Sequence, residues 1–309
     1  MKKVLVIIGA TGTGKTELAM NIADIVPSQI ISIDSTMVYK GMDIGTAKPS
    51  KAELLRYPHA LVDILEPNMN FSVADCLSAV PNLINQAYAA GKIAILVGGT
   101  MMYHYMLQYG MHDFPELSAQ VREQVQSEYE SYGLERQWRR LCLADAVYAN
   151  KLSSSDKQRI HRALELIDSG FLPSVYLAKL KSKAVLSDYE VQHICLMLEP
   201  RSALYDRLNL RFEHMVRDGF VSEVEHLMSL FPGLEKTASF RSIGYKQIAQ
   251  HLLCNLTKEQ AFIEAKTATR RFAKRQITWS KRWQNHALYT EYSRGLAANV
   301  CEKLLESKM

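Results

Sequence analysis

The amino-acid sequence predicts an α/β fold, a doubly wound parallel sheet that is interrupted by a helical insertion. Short apolar runs alternate with helix-like segments from the start of the chain to about residue 100. This strand pattern stops at about residue 115, and the apolar run HICLML at residues 193–198 restores it. Strand–helix alternation is typical of parallel sheets with helices on both faces, whose ligands gather beyond the carboxyl ends of the strands.

The composition indicates a soluble globular protein. The chain has 309 residues, 48% of them hydrophobic, and it has no apolar stretch near the roughly 18 residues that cross a bilayer. Its start, MKKVLVIIGA, resembles a signal peptide, but a glycine-rich loop follows instead of a cleavage site, so we expect a first strand there. Five cysteines without a close pair favour neither a disulfide framework nor a zinc site, and we therefore expect a cytoplasmic protein.

The first predicted strand leads into the most specific motif. Residues 4–8 form an apolar, β-branched run, GATGTGKT follows at residues 9–16, and a helix-like segment comes next. This is the pattern G-x-x-x-x-G-K-T in the strand–loop–helix context that a phosphate-binding loop requires. Loop N–H groups would surround phosphate oxygens, Lys15 would reach the terminal phosphate, and Thr16 would offer its hydroxyl to Mg²⁺.

The phosphate-binding loop by itself does not identify a reaction. A nucleoside triphosphate is the usual ligand, yet the loop geometry needs only a diphosphate and a metal ion. Two enzyme classes therefore remain open on this motif: a kinase or NTPase, and a transferase whose leaving group is pyrophosphate.

Two further polar positions follow predicted strands. The apolar run at residues 30–33 ends in Asp34, residues 72–90 read as a helix, and the run KIAILV at residues 92–97 ends in GGT, whose last residue is Thr100. Because the carboxyl ends of parallel strands share one edge of the sheet, we expect Asp34, Thr100 and the phosphate-binding loop to meet in one crevice. Asp34 could be a metal ligand, a turn former or a base, and the glycines before Thr100 could simply form a tight turn.

Basic side chains on two predicted helices allow a functional and a structural interpretation. Residues 153–170 have a serine cap, an apolar stripe and a glycine stop, and Gln158, Arg159 and Arg162 lie off that stripe. In the later segment 204–220, two arginines four residues apart, Arg207 and Arg211, share a helix face and could clamp a phosphate. Solvation of an exposed helix face is the competing interpretation for both groups.

A stretch near the C-terminus that carries only positive charges is typical of a surface that binds a polyanion. Seven Lys or Arg residues and no acidic residue lie between residues 265 and 290. Helical spacing puts Arg271, Arg275, Trp279 and Trp283 on one side, with Arg270, Lys274 and Lys281 nearby. Basic groups would contact phosphates, and the tryptophans would either stack on bases or anchor the core. We favour the core for the tryptophans.

Six motifs extend a resemblance over nearly the whole chain. They are, in chain order, GATGTGKT, DSTMVYKGMDIGTAKP, LVGGTMMY, QRIHRALE, SFRSIGYK and TRRFAKRQITW. In these motifs the sequence closely resembles the bacterial tRNA dimethylallyltransferases, also called tRNA isopentenyltransferases. The resemblance implies a P-loop kinase-like fold with a helical insertion. It also implies transfer of a dimethylallyl group from dimethylallyl diphosphate to the adenosine just 3′ of the anticodon, with Mg²⁺.

The resemblance assigns roles to individual positions. It implies catalytic residues at Asp34 and Thr100. It implies a diphosphate site made of Thr11, Gly12, Thr13, Gly14, Lys15, Thr16 and Arg211. Thr16 is also the residue expected to bind Mg²⁺. Contacts to tRNA are implied for Asp34, Ser35, Thr36, Met37, Thr100, Arg122, Gln158, Arg159, Ile160, His161, Arg162, Arg241, Ser242, Ile243, Gly244, Tyr245 and Lys246. Two positions depart from the family pattern: Ala10 stands where many members have proline, and Met37 where many have glutamine.

The resemblance also selects among the alternatives left open above. Adenine's exocyclic amine must lose a proton when it attacks the allylic carbon, and Asp34 becomes the predicted base. The loop amides, Lys15, Arg211 and Mg²⁺ would stabilise the leaving diphosphate. We expect a catalytic core at residues 1–114 plus 190–309, an insertion at residues 115–189 that contacts the tRNA anticodon stem-loop, and a monomer. A P-loop kinase that uses ATP is the alternative.

Overall fold

The structure is a computed structural model that describes residues 2–112, 115, 117–179, 181–281, 283, 286–290 and 295–306, the side chains of residues 305 and 306 excepted. The chain forms two compact units. The core unit comprises Met1–Gln108 and Val185–Met309, and the helical unit comprises Tyr109–Ala184. Phe114, the predicted last residue of the first core segment, lies outside the described residues.

A parallel sheet forms the centre of the core unit. In the described residues its strands are β1 (Lys2–Gly9), β2 (Ser28–Ser32), β3 (His59–Ala60), β4 (Ile93–Val97), β5 (Tyr189–Leu196) and β6 (Ala287–Tyr289). They pair in parallel in the order β3-β2-β4-β1-β5-β6. The predicted fold class is therefore confirmed. The predicted strand at residues 193–198 begins earlier, at Tyr189, and the two short edge strands β3 and β6 were not predicted.

Strand β1 shows why the apolar runs are continuous. Val4, Val6 and Ile8 pack into the hydrophobic cluster on one face of the sheet. Leu5 and Ile7 pack into the cluster on the other face. Since successive side chains of a strand point to opposite faces, a strand that is covered on both sides must be apolar at every position.

Helices follow most strands. Those of the described residues are α1 (Lys15–Ala23), α2 (Lys51–Arg56), α3 (Val73–Ala89), α4 (Met101–Tyr109), α5 (Ala119–Ala144), α6 (Ala146–Ala149), α7 (Lys157–Asp168), α8 (Pro173–Tyr176), α9 (Arg201–Arg217), α10 (Phe220–Leu230), α11 (Tyr245–Leu252), α12 (Lys258–Ser280) and α13 (Leu296–Glu306). Short 3-10 turns lie at Val185–Asp188, Leu234–Lys236 and Ser239–Arg241. None of the described helices is both long and apolar enough to span a bilayer.

Capping side chains set two of the predicted helix starts. Helix α3 begins after Ser72, whose hydroxyl accepts from the Asp75 N–H while the Asp75 carboxylate accepts from the Ser72 N–H, a reciprocal capping box. Helix α7 begins only at Lys157, because the Asp156 carboxylate, and not the predicted serine, accepts the N–H of Arg159.

Candidate active site

A cleft of about 640 Å³ opens in the core unit at the carboxyl ends of the strands. Its lining comes from the loop after β1, the residues after β2 and β4, residues 45–49, helices α9 and α12, and residues 241–245. Asp34, Thr100 and the loop residues Thr11, Gly12, Gly14, Lys15 and Thr16 all belong to this lining. The sequence motifs that follow separate strands therefore meet in one cleft.

The phosphate-binding loop is built by its own backbone. Gly14 adopts φ 92° and caps α1, a left-handed conformation that glycine adopts without steric cost. The Thr13 hydroxyl donates to the Ala10 carbonyl at 2.9 Å, so Thr13 is buried beneath the loop and is not part of the cleft lining. The Lys15 ammonium donates to the same carbonyl at 2.7 Å. Its head group therefore lies against the loop, at the N-terminus of α1 where an anion is favoured.

Two buried cations, Lys15 and Arg211, interact electrostatically with the carboxylate of Asp34 in the cleft. Other charged side chains also line it, namely Lys48, Arg207, Arg241, Arg275, Glu17 and Glu53. Burial lowers the pKa of Lys15 to about 8, with the carboxylate of Asp34 acting in the opposite direction and Arg211 lowering it further. Burial likewise lowers the pKa of Arg211, against the raising effect of Asp34. The Arg211 guanidinium also donates to the Thr11 hydroxyl at 3.4 Å. Positive charge held out of water in this way favours an anionic ligand that carries more than one negative charge.

Asp34 acts as a turn former through one of its carboxylate oxygens. Its Oδ1 accepts from the Thr36 N–H at 2.9 Å and from the Thr36 hydroxyl at 2.7 Å. Both hydrogen bonds of Asp34 in the described part of the chain fall on Oδ1, which leaves Oδ2 to accept from a ligand. One oxygen thus fixes the side chain, and the other can work on a substrate.

Thr100 joins the ends of β4 and β2. Its hydroxyl accepts from the Ser35 N–H at 3.0 Å and donates to the Ser35 hydroxyl at 3.3 Å, while its own N–H donates to the Ile33 carbonyl at 3.3 Å. Thr100 therefore holds the segment that carries Asp34. Ser35, Thr36 and Met37 line the cleft beside it.

Only part of the segment at residues 241–246 lines the cleft. Arg241, Ser242, Ile243 and Gly244 line the cleft, and Arg241 is exposed. Lys246 is exposed but lies outside the lining. Tyr245 has its ring in the hydrophobic core, and its hydroxyl donates to Glu223 at 2.5 Å. Tyr245 also belongs to the cleft lining, but its side chain is fully buried, and its contact with tRNA stays a prediction.

Sequence reasoning assigned no role to residues 45–49, which also line the cleft. Glu223 holds the start of this segment by accepting the N–H groups of Asp43, Ile44 and Gly45. Lys48 forms ion pairs with Asp43 at 2.6 Å and Asp63 at 2.5 Å. The polar, glycine-bearing composition of this stretch was the available signal, but the residues that hold it lie far away in the sequence.

Comparisons with known proteins agree with this geometry. A sequence model of the IPP transferase family matches residues 37–283. The chain belongs to the IPP transferase family. Curated relatives include the tRNA dimethylallyltransferase of Legionella pneumophila, 37% identical over 99% of this chain and 97% of the relative. Another is the tRNA dimethylallyltransferase of Neisseria meningitidis, 38% identical over 99% and 96%. Among solved structures, the full-length tRNA isopentenylpyrophosphate transferase of Bacillus halodurans is similar, with a TM-score of 0.70, 31% identity, and coverage of 99% of this chain and 96% of that one.

The helical unit of this IPP transferase family member carries the other predicted tRNA positions. Arg122 on α5 and Gln158 and Arg159 on α7 are exposed, whereas His161 and Arg162 are half-buried. The Arg162 guanidinium pairs with Glu165 at 3.1 Å, and the His161 ring packs edge-on against Tyr129. The side chain of Ile160 is fully buried in the core of this unit, and the predicted contact of this residue with tRNA stays a prediction.

The basic stretch at the C-terminus is mostly the helix α12. It ends at Ser280, so Trp283 lies beyond the helix that was predicted to include it. Trp279 packs against the hydrophobic core and Trp283 lies within it, and both rings contact the Tyr105 ring edge-on. Both tryptophans therefore anchor the core, as favoured from the sequence. Arg271, Lys274, Arg275 and Lys281 are exposed, and Arg275 also lines the cleft. Arg282 lies outside the described residues.

The cleft residues fit a magnesium ion that arrives with a diphosphate. The described residues contain no cluster of three or more His, Cys, Asp or Glu side chains that could form a metal cage. The Thr16 hydroxyl and the Asp34 carboxylate do line the same cleft. Mg²⁺ commonly binds through one or two protein oxygens together with substrate phosphates and water, and this donor set agrees with that mode.

Proposed function

We propose that the chain transfers a dimethylallyl group from dimethylallyl diphosphate to the exocyclic amine of the adenosine just 3′ of the tRNA anticodon, and releases diphosphate. The observation that carries this proposal is one cleft in which the carboxylate Asp34 faces the same space as the cations Lys15 and Arg211. The proposed reaction is also the one named for curated relatives that align over almost the entire chain, the tRNA dimethylallyltransferases. The acceptor needs a base, and the donor needs a site for its leaving diphosphate.

On the acceptor side, Asp34 takes the proton. The amine is a poor nucleophile because its lone pair is delocalised into the adenine ring. When it attacks the allylic carbon, it must also lose an N–H proton to give a neutral product. As the new N–C bond forms and the C–O bond to diphosphate breaks, this proton passes to Oδ2 of Asp34. Thr36 keeps the carboxylate in one orientation through Oδ1, and Thr100 holds the segment that carries it. A correctly placed general base typically increases the reaction rate by about a hundred- to ten-thousand-fold.

On the donor side, the protein stabilises the charge that develops on the leaving diphosphate. Lys15, Arg211 and residues of the phosphate-binding loop line the cleft. In this proposal the Lys15 ammonium, the Arg211 guanidinium and the loop amides bind the diphosphate, except for the amide of Thr11, which already donates to Gln276. A low-dielectric cleft makes these interactions stronger than they would be in water. Mg²⁺ held by the Thr16 hydroxyl and the diphosphate oxygens would supply further positive charge to the leaving group.

The macromolecular substrate is tRNA, bound by its anticodon stem-loop. To reach the allylic carbon, the target base leaves the stack of the anticodon loop and enters the cleft. Exposed basic residues of α12 and of the helical unit, including Arg122 and Arg159, supply contacts to phosphates. All five cysteines are free, which suits a reducing compartment such as the cytoplasm.

A transfer assay tests the function directly. Radiolabelled dimethylallyl diphosphate is incubated with bulk unmodified tRNA, in parallel with labelled ATP and the same RNA. We expect label to move to RNA from the first donor and not from the second. The opposite pattern would support a P-loop kinase and would overturn the proposal.

The exposed charges of α12 are expected to make tRNA binding dependent on salt. Each Lys or Arg that neutralises a phosphate releases counterions, so the double variant Arg271→Gln/Lys274→Gln should reduce the slope of log affinity against log salt by up to about two. Arg270 is left in place because its guanidinium already donates to Asn209 at 2.8 Å. The matched control Lys92→Gln/Lys303→Gln removes the same charge at other exposed positions. Equal slopes for both double variants would show that Arg271 and Lys274 do not contact tRNA phosphates.

A further inference from the structure

One buried amide connects two loops of the cleft. Gln276 lies on α12 with only 2% of its surface exposed. Its side-chain oxygen accepts from the Thr11 N–H at 2.9 Å, and its side-chain nitrogen donates to the Gly99 carbonyl at 2.7 Å. Both functions of the amide are therefore used, one on each loop.

The glycine at position 99 makes this approach possible. A Cβ atom placed on Gly99 would lie 2.6 Å from the side-chain nitrogen of Gln276. That is shorter than any normal contact, so even alanine at this position would displace the amide. Gly99 and Gln276 therefore form one matched pair, although they lie 177 residues apart in the sequence.

The amide lies where the sheet no longer holds the two loops together. Strands β1 and β4 pair in register as far as Ile7 and Val97, and the Gly98 N–H still reaches the Ile7 carbonyl at 3.4 Å. Beyond that point the first loop becomes the phosphate-binding loop and the second leads to Thr100. Thr11 and Gly99 belong to these diverging loops, and Gln276 is hydrogen-bonded to both.

We propose that Gln276 is a positioning residue for the transfer reaction, which fixes the donor side of the cleft relative to the acceptor side. The inference rests on the function proposed above. On the donor side, Thr11 belongs to the loop that receives the diphosphate. On the acceptor side, Gly99 precedes Thr100, whose hydroxyl holds Ser35 next to the base Asp34. Two hydrogen bonds of Gln276, the peptide bond between Gly99 and Thr100, and the hydrogen bond from Ser35 to Thr100 therefore connect the phosphate-binding loop to the residue beside the base.

This role predicts a loss of turnover and not of binding. Reactions between two bound groups are sensitive to alignment, and a displacement of about 1 Å can lower the rate by about 10²-fold. Each loop keeps its own hydrogen bonds without Gln276, such as that from the Thr13 hydroxyl to Ala10. Each half of the site should therefore still bind its ligand, while the two halves lose their alignment.

The test compares three variants with one control. Gln276→Met removes both hydrogen bonds and keeps the length of the side chain, Gln276→Glu keeps an acceptor for Thr11 but loses the donor to Gly99, and Gly99→Ala displaces the amide. We expect kcat to fall by about tenfold or more in each, with KM for dimethylallyl diphosphate and for tRNA within about threefold of wild type. Combining Gly99→Ala with Gln276→Met should add little to either single change. The control Ile84→Val trims an equally buried side chain on α3, outside the cleft lining, and should leave kcat unchanged.

A second readout does not depend on activity. Hydrogen–deuterium exchange of the unliganded protein should rise in peptides that cover residues 10–13 and 98–101, and in no other part of the sheet, for Gln276→Met and Gly99→Ala. A wild-type kcat in these variants would overturn the proposal, as would faster exchange throughout the core unit, since the latter indicates general destabilisation. If the wild-type protein transferred no prenyl group, the proposed function would fail, while the exchange data would still show whether Gln276 links the two loops.

Discussion

Asp34→Asn is expected to lower kcat for prenyl transfer to tRNA by about 10²- to 10⁴-fold, because an amide cannot take a proton from the adenine amine. The side-chain oxygen of asparagine can still accept both hydrogen bonds from Thr36, so the turn beyond β2 should persist. Affinity for tRNA and for dimethylallyl diphosphate should therefore change little. Single-turnover rates with both substrates saturating measure the effect on chemistry.

Asp34→Ala separates the two uses of this side chain. It removes the base and also the acceptor that organises Thr36, so it should lose as much turnover as Asp34→Asn and in addition weaken tRNA binding. If Asp34→Asn kept near-normal turnover while Asp34→Ala did not, the carboxylate would be a turn former only. The base would then have to be sought elsewhere in the cleft.

Local sequence predicted the parts of the fold and site that depend on local chemistry. Strand β1 was recognisable because burial on both faces demands an unbroken apolar run, and the loop after it because its glycines and Lys15 occur at fixed spacing. The meeting of Asp34 and Thr100 followed from parallel strands, whose carboxyl ends lie at one edge. The roles assigned to these residues remain predictions until the variants are measured.

Features set by distant partners could not be predicted in the same way. Nothing near Gln276 in the sequence indicates that its amide bridges Thr11 and Gly99. The hydrogen bond from the Asp43 N–H to Glu223, which fixes the segment that begins at Asp43, likewise joins residues that are far apart in the sequence. Edge strand β3 has two residues, too few to leave an alternating or continuous apolar pattern.

Lys15→Ala is expected to reduce kcat/KM for dimethylallyl diphosphate by about 10²-fold or more, the cost typical of removing one group that stabilises developing charge. The substitution removes an ammonium from the lining of the cleft in which the diphosphate is proposed to bind. Affinity for tRNA should be retained, because Lys15 lies within the phosphate-binding loop and is almost fully buried. Initial rates with each substrate varied in turn provide the measurement. Unchanged kinetics in the diphosphate would mean that the loop binds another ligand.

The lowered pKa of Lys15 adds a pH dependence to this prediction. Because burial lowers the pKa of Lys15 to about 8 in the unliganded protein, wild-type kcat/KM for the diphosphate should be level below pH 8 and fall up to about tenfold per pH unit above it. Lys15→Arg keeps its charge at every pH tested, so its profile should lack this fall. Between pH 8 and 10.5 the unfolded chain holds a proton that the folded Lys15 has lost, so this residue makes the unliganded protein more stable as pH rises. Lys15→Met should accordingly raise Tm at pH 7 while lowering diphosphate use as Lys15→Ala does, and a lower Tm would show that the buried ammonium stabilises the loop.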